Sequence, residues 1–257
     1  MRAPTMASVV QRRLLVSYRT DPELVASLLP RPLRPQLVNG WAVAGICLIR
    51  LGQLRPRWVP ARLGLRSENA AHRVAVTWET ANGPASGVYI LRQDSGSRVT
   101  TTAGGRLFPG SHHRARFRVR EAGRDLQVAF SSADGTGVEA HARRCDRWPA
   151  SQLFDDLEAA SAFFRKDPDG YSPGAAGGCL DGMRLQTVGW HLEPLDVVEM
   201  RSTFFDDPAR FPAGTATLDC ALLMRDVPAT WTPLPTMPVE TTGAPGPADD
   251  AATLTRK

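Results

Sequence analysis

The chain has 257 residues, of which 42% are hydrophobic, 22% charged and 7% aromatic. That length suits one large domain or two small ones, at roughly 100–200 residues per domain, and the ordinary composition excludes chain-wide disorder and collagen-like repeats. A net charge of +5 permits attraction to anions, but no run of basic residues marks a nucleic-acid partner, and no apolar run nears the roughly 20 residues of a membrane-spanning helix.

Residues 1–8 read as a flexible N-terminus without the apolar stretch of a secretory signal. Val9–Tyr18 is the first expected strand. Asp21 then offers an N-cap, Pro22 a first helical residue and Glu23 a first-turn acid, for a short helix to Leu29 that Pro30 stops. Val38–Leu51 is apolar on both alternating faces and is expected as a strand covered on both sides. Arg55–Leu65 reads as a loop rich in Pro and Arg. Ala70–Thr80 and Ser86–Arg92 form a strand pair turned at Asn82-Gly83-Pro84, and Ser97–Ala103 a short helix. His112–Arg120, Asp125–Ser132 and Gly137–Arg144 make a meander with turns at Ala122-Gly123 and Asp134-Gly135. Ser151 is expected to cap a helix to Phe164, with Leu153, Phe154, Leu157, Ala160, Ser161 and Phe164 on one stripe. Asp167–Gly178 is a loop, and Met183–Trp190, Asp196–Phe205 and Thr217–Arg225 complete the strands. Residues 232–257 read as a disordered tail of Pro, Ala, Gly, Thr and Asp.

Strands without strictly alternating helices imply an α+β protein, a mainly antiparallel β-barrel with two or three short helices, formed by one domain over residues 9–231. A small barrel removes sheet edges and supplies an internal cavity. Cys47, Cys145, Cys179 and Cys220 are widely spaced without a CxxC pair, which suits reduced thiols in a cytoplasm.

Strand parity sorts the histidines. His113 shares a face with Ala115, Phe117 and Val119 and is expected inward, while His112 joins an outward stripe with Arg114, Arg116, Arg118 and Arg120. His72 shares a face with Val74, Val76 and Trp78. Either inward histidine suits acid–base work in a pocket or a hydrogen-bonded place in the core. Glu139, His141, Arg143 and Cys145 share a strand face, but the intervening arginine argues against a metal site, and none is assigned. Gly104 and Gly105 can shape a backbone nest for an anion or form a plain turn. Arg92, Arg98 and Arg106 flank them, and their forks suit carboxylates.

Tyr18-Arg19-Thr20-Asp21-Pro22-Glu23, followed by Leu28-Leu29-Pro30-Arg31-Pro32-Leu33, resembles the opening of acetoacetate decarboxylase. Asn69-Ala70-Ala71-His72-Arg73-Val74, Gly87-Val88-Tyr89-Ile90 and Gly104-Gly105-Arg106-Leu107-Phe108-Pro109-Gly110 are similar to the DUF2071 family of the same superfamily. The likeness spans about residues 9–225 and implies a cone-shaped antiparallel barrel around a central cavity. In the decarboxylase a lysine of a P-K-K segment forms a Schiff base. The counterpart here is Pro109-Gly110-Ser111, so both lysine positions fall on Gly110 and Ser111, and the upstream acidic position falls on Gly104. The only lysines are Lys166 and Lys257, neither in such a motif. Arg19 matches the arginine that the family associates with the substrate carboxylate.

The resemblance implies a lysine-independent lyase, dehydratase or cyclase, of the kind used in secondary metabolism, acting on a small oxo- or carboxylic acid. Arg19 holds the carboxylate with Arg92, Arg98 or Arg106, near Gly110 and Ser111. His72 or His113 moves the proton, and Tyr89 donates a hydrogen bond. The alternative is a non-catalytic barrel that binds the same class of small molecule. No cofactor, nucleic acid or membrane is implied, and a homo-oligomer is compatible with either reading.

Overall fold

The computed structural model describes residues 4–102, 108–166, 168–174 and 177–239. The chain begins with the strand β1 (Met6–Thr20), the helix α1 (Pro22–Ser27), two short strands β2 (Arg34–Pro35) and β3 (Leu37–Val38), and the long strand β4 (Trp41–Pro56). After a 3₁₀ turn at Ala61–Leu63 come β5 (Leu65–Thr80), β6 (Gly83–Ser95), the one-turn helix α2 (Arg98–Thr102), β7 (His112–Ala122), β8 (Asp125–Ser132) and β9 (Gly137–Arg144). The helix α3 (Leu157–Lys166) leads to β10 (Asp169–Pro173), β11 (Cys179–Thr187), β12 (Glu193–Ser202), β13 (Ala216–Met224), β14 (Val227–Pro233) and β15 (Met237–Pro238). No helix among the described residues is long and apolar enough to cross a membrane.

The fold is the mainly antiparallel α+β arrangement expected, with pairing that returns on itself in two places rather than a regular single barrel. β1 pairs with β4 on one edge; on the other its first half pairs with β14 and its second half with β13. One closed path runs β1-β13-β12-β9-β8-β7-β6-β5-β4, and a second runs β1-β14-β11-β10-β6-β5-β4. The two rings share a wall of β1, β4, β5 and β6. Two contacts are parallel, β6 with β7 and β6 with β10.

This sharing explains why strands here are apolar on both faces. Leu14, Val16, Ile46, Leu48, Val74 and Val76 pack to one side of the wall in a first core. Leu15, Val43, Cys47, Ile49, Leu51 and Ala75 pack to the other in a second core. Side chains alternate across a strand, so two buried faces need apolar residues at every position.

Several element ends differ from expectation for local reasons. Asp21 caps α1 as expected, its side chain accepting the Leu24 amide at 2.8 Å. The expected strand Val38–Leu51 is broken at Asn39-Gly40, whose φ angles of 49° and 82° make a hairpin in which Val38 faces Trp41. The helix expected from Ser151 starts at Leu157. Ser151 Oγ accepts the Leu153 and Phe154 amides at 3.2 and 3.0 Å and donates to Asp219, which fastens a separate turn to β13. Asp156 accepts the Ala159 amide at 2.7 Å and caps the helix instead. The expected loops hide β10 and the start of β5. Within residues 232–257, β14 continues to Pro233, and β15 pairs with Cys179 and Leu180; residues 240–257 lie outside the described residues.

Candidate active site

A cavity of about 390 Å³ lies between the shared wall and the strands β10, β11 and β14, with α3 over one side. Its walls are largely apolar and aromatic, and Arg13 of β1 and Arg73 of β5 both line it. Arg73 is buried at 8% exposure. The Nε atoms of both arginines are buried without a hydrogen-bond partner, and neither side chain forms an ion pair among the described residues. The Arg73 guanidinium carbon sits 4.9 Å from the centre of the Phe164 ring. Burial lowers its pKa to about 10; Cys47 opposes the drop and Arg13 adds to it. Arg73 remains cationic near neutral pH, and among the described residues neither arginine has a counter-ion in this largely apolar space. Such a site is costly unless an anion completes it.

His112 also lines the cavity, at the start of β7 and paired in register with Gln93 of β6. The Gln93 amide donates to the Pro109 carbonyl at 2.7 Å and to Ser172 Oγ at 3.2 Å, which ties the entry to β7 onto β10. Gly110 makes this close approach possible. Its φ is +87°, and a Cβ there would fall 2.6 Å from Gln93 Nε2 and 2.8 Å from Ser172 Cβ. Burial lowers the pKa of His112, opposed by hydrogen bonds to the Phe108 and Pro109 backbone. A carbonyl accepts only from an N–H, so the bonded ring nitrogen carries the proton. The other, Nε2, is buried without a partner among the described residues and keeps its lone pair.

The expected site residues lie elsewhere. Two adjacent pairs, Arg12-Arg13 and His72-Arg73, are each split across the shared wall with the second member on the cavity side, and at the start of β7 His112 rather than His113 lines the cavity. His113 is corrected from inward to outward. It does share the side of Ala115 and Phe117, but at the strand end that side is open, and His113 is 46% exposed, 4.0 Å from Asp134. His112 is corrected from the solvated stripe to the cavity, where it lies beside Phe108 with ring centres 6.5 Å apart.

His72 is fully buried on the first-core side, its ring 4.4 Å from that of Phe204. Neither ring nitrogen has a hydrogen-bond partner among the described residues. Burial lowers its pKa to about 4, with Asp94 opposing. Tyr89 is buried in the same core, which raises its pKa.

Arg19 stands 3.7 Å from Asp219 with its guanidinium 5.7 Å from the Trp41 ring, outside the cavity lining. Arg92 is committed to two carboxylates, bidentate to Asp94 at 2.8 Å through both bonds and to Asp134 at 2.6 and 3.1 Å. Arg98 is exposed on α2 and Ser111 is exposed before β7. Gly110 shapes the cavity edge by backbone alone. Arg106, with Gly104 and Gly105, lies outside the described residues. Arg13 and Arg73 carried one usable signal in the sequence: each is a charged residue within a strand whose two faces are both largely buried; His112 carried none.

Comparison with known families matches residues 9–207 to DUF2071, described as an uncharacterized conserved protein. No curated protein matches. Among solved structures, the chain is similar to acetoacetate decarboxylase from Legionella pneumophila, at 12% identity and a TM-score of 0.60 over 91% of this chain and 88% of that one. It is similar to an acetoacetate decarboxylase-like enzyme from Sphingomonas wittichii RW1, at 11% identity and a TM-score of 0.62 over 93% and 94%. The enduracididine biosynthesis enzyme MppR complexed with pyruvate gives 13% identity and a TM-score of 0.59 over 93% and 90%. At such identities these likenesses establish the fold.

Proposed function

The chain belongs to the DUF2071 family, and from that premise we propose that its cavity binds an organic acid and acts on it without a Schiff base. The carboxylate occupies the space between the Arg13 and Arg73 guanidiniums and supplies the anion they lack among the described residues. His112 moves a proton at the ligand through Nε2, since burial keeps the ring neutral near pH 7 and a neutral imidazole accepts a proton. The observation that carries the reading is the pair of guanidiniums, without an ion pair among the described residues, facing one largely apolar cavity. Support comes also from MppR, which shares the fold and was solved with pyruvate, an oxo acid. The roles first given to Arg19 and to His72 or His113 pass in this reading to Arg13, Arg73 and His112. A second reading, a non-catalytic carrier of the same acid, is favoured by the aromatic walls; recovery of the bound acid unchanged after incubation would select it.

Calorimetry with a series of 2-oxo acids from pyruvate upward tests the acid site on the wild-type protein and on Arg73→Met. A charge-assisted hydrogen bond contributes about 1.5–3 kcal/mol, so the substitution is expected to weaken acid binding about tenfold or more. Because it also removes a buried charge that has no counter-ion among the described residues, the ligand-free variant should melt no lower than wild type. Equal acid affinity in the two proteins would overturn the reading.

A further inference from the structure

Small acids would leave most of this cavity empty. Resting on the organic-acid reading above, we propose that the ligand is an aryl-substituted acid, with its carboxylate on Arg13 and Arg73 and its aromatic ring against Phe164, Trp190 and Trp231.

Size is the first argument. A closed apolar cavity of about 150 Å³ accepts a benzene ring, so the 390 Å³ found here holds a ring together with a short acid chain. The second argument is adjacency. Arg73 lies 4.9 Å over Phe164, so the cationic end and the aromatic wall meet, and one molecule can reach both. The third is the state of the wall. The Trp190 indole N–H donates to Ser161 Oγ at 2.8 Å, and that of Trp231 to Ser8 Oγ at 2.9 Å. Both indoles are therefore held rigid with their polar ends satisfied, and they ask of a ligand only apolar contact.

Phe108 stands edge-on to Trp231 at 5.6 Å and 86°, the arrangement that another ring would extend. Aromatic residues used only for packing close their space, as in the first core, where Tyr18 and Phe205 stack at 4.2 Å. Those around Arg73 leave room beside them.

The test compares 3-phenylpropionate, propionate and 3-phenylpropionamide by calorimetry on the full chain, with indole fluorescence as a second readout. Burying the phenyl ring is expected to tighten binding at least about tenfold over propionate, and losing the charge should weaken the amide about tenfold against the acid. Indole emission should change with the aryl acid, and Trp231→Phe should reduce that change while retaining binding. If propionate binds as tightly as 3-phenylpropionate and the amide does not, the aryl assignment falls and the organic-acid reading stands. If the amide matches the acid, the organic-acid reading falls and this assignment with it. Absence of binding by all three overturns the aryl assignment, leaving the 2-oxo acid series to judge the acid site.

Discussion

His72 is held among Phe130, Phe204 and Phe205 with neither ring nitrogen bonded, and its pKa of about 4 has a consequence for stability. The unfolded chain titrates near 6.5, so between pH 6.5 and 4 it binds more protons than the folded chain. Stability present above pH 6.5 is therefore lost as the pH falls toward 4, by an amount on the order of 3 kcal/mol at 1.36 kcal/mol per unit. His112, also lowered by burial, acts in the same direction. Urea unfolding at pH 7 and pH 4.5 should show this loss, and His72→Leu should reduce it; parallel pH dependence in the two proteins would sink the account. At this scale the sequence names the chemistry-bearing residues but not their sides. Arg12 and Arg13 are adjacent, yet Arg12 is paired with Glu68 at 2.5 Å and Glu121 at 3.0 Å while Arg13 meets the cavity without a carboxylate partner among the described residues. Alternation assigns the two arginines to opposite faces and says nothing about what covers each.

Among the elements, the entry to β7 decides which histidine reaches the cavity. Gly110, with its positive φ and its contacts to Gln93 and Ser172, lets the chain turn tightly enough to set His112 beside Gln93. Gly110→Ala places a methyl group where there is no space and a side chain where φ disfavours it, which should cost about 1–3 kcal/mol. Denaturant melts should show that loss, and the variant should also weaken acid binding by moving His112; wild-type stability would contradict the close packing described. Period-2 patterns made β5 to β9 legible, since alternation and Gly turns are local signals. The start of α3 was not legible, because Ser151 and Asp156 are both competent caps and Asp219, distant in sequence, engages Ser151. β10 was missed within a Gly- and Pro-rich stretch, being a strand only through its pairing with β11 and β6.

For the molecule as a whole, the supply of amines limits the chemistry. Only Lys166 and Lys257 exist. Lys166 ends α3 on its exposed side and is absent from the cavity lining, and Lys257 lies outside the described residues. Incubation with pyruvate and borohydride should leave the mass of both lysine peptides unchanged; a reduced adduct on Lys166 would overturn the amine-free reading. The sequence by itself determined a sheet-rich α+β chain, the two-sided burial expected of Val38–Leu51, the cap of α1 and the scarcity of lysine, because alternation, capping and composition are local properties. Only the tertiary structure decided that two rings share one wall, and so which of Arg12 or Arg13 and of His72 or Arg73 faces the cavity, and that the entry to β7 sets His112 rather than His113 there. When both faces of a strand are buried, hydrophobic patterning no longer distinguishes them, and the pairing of distant strands settles what each side chain meets.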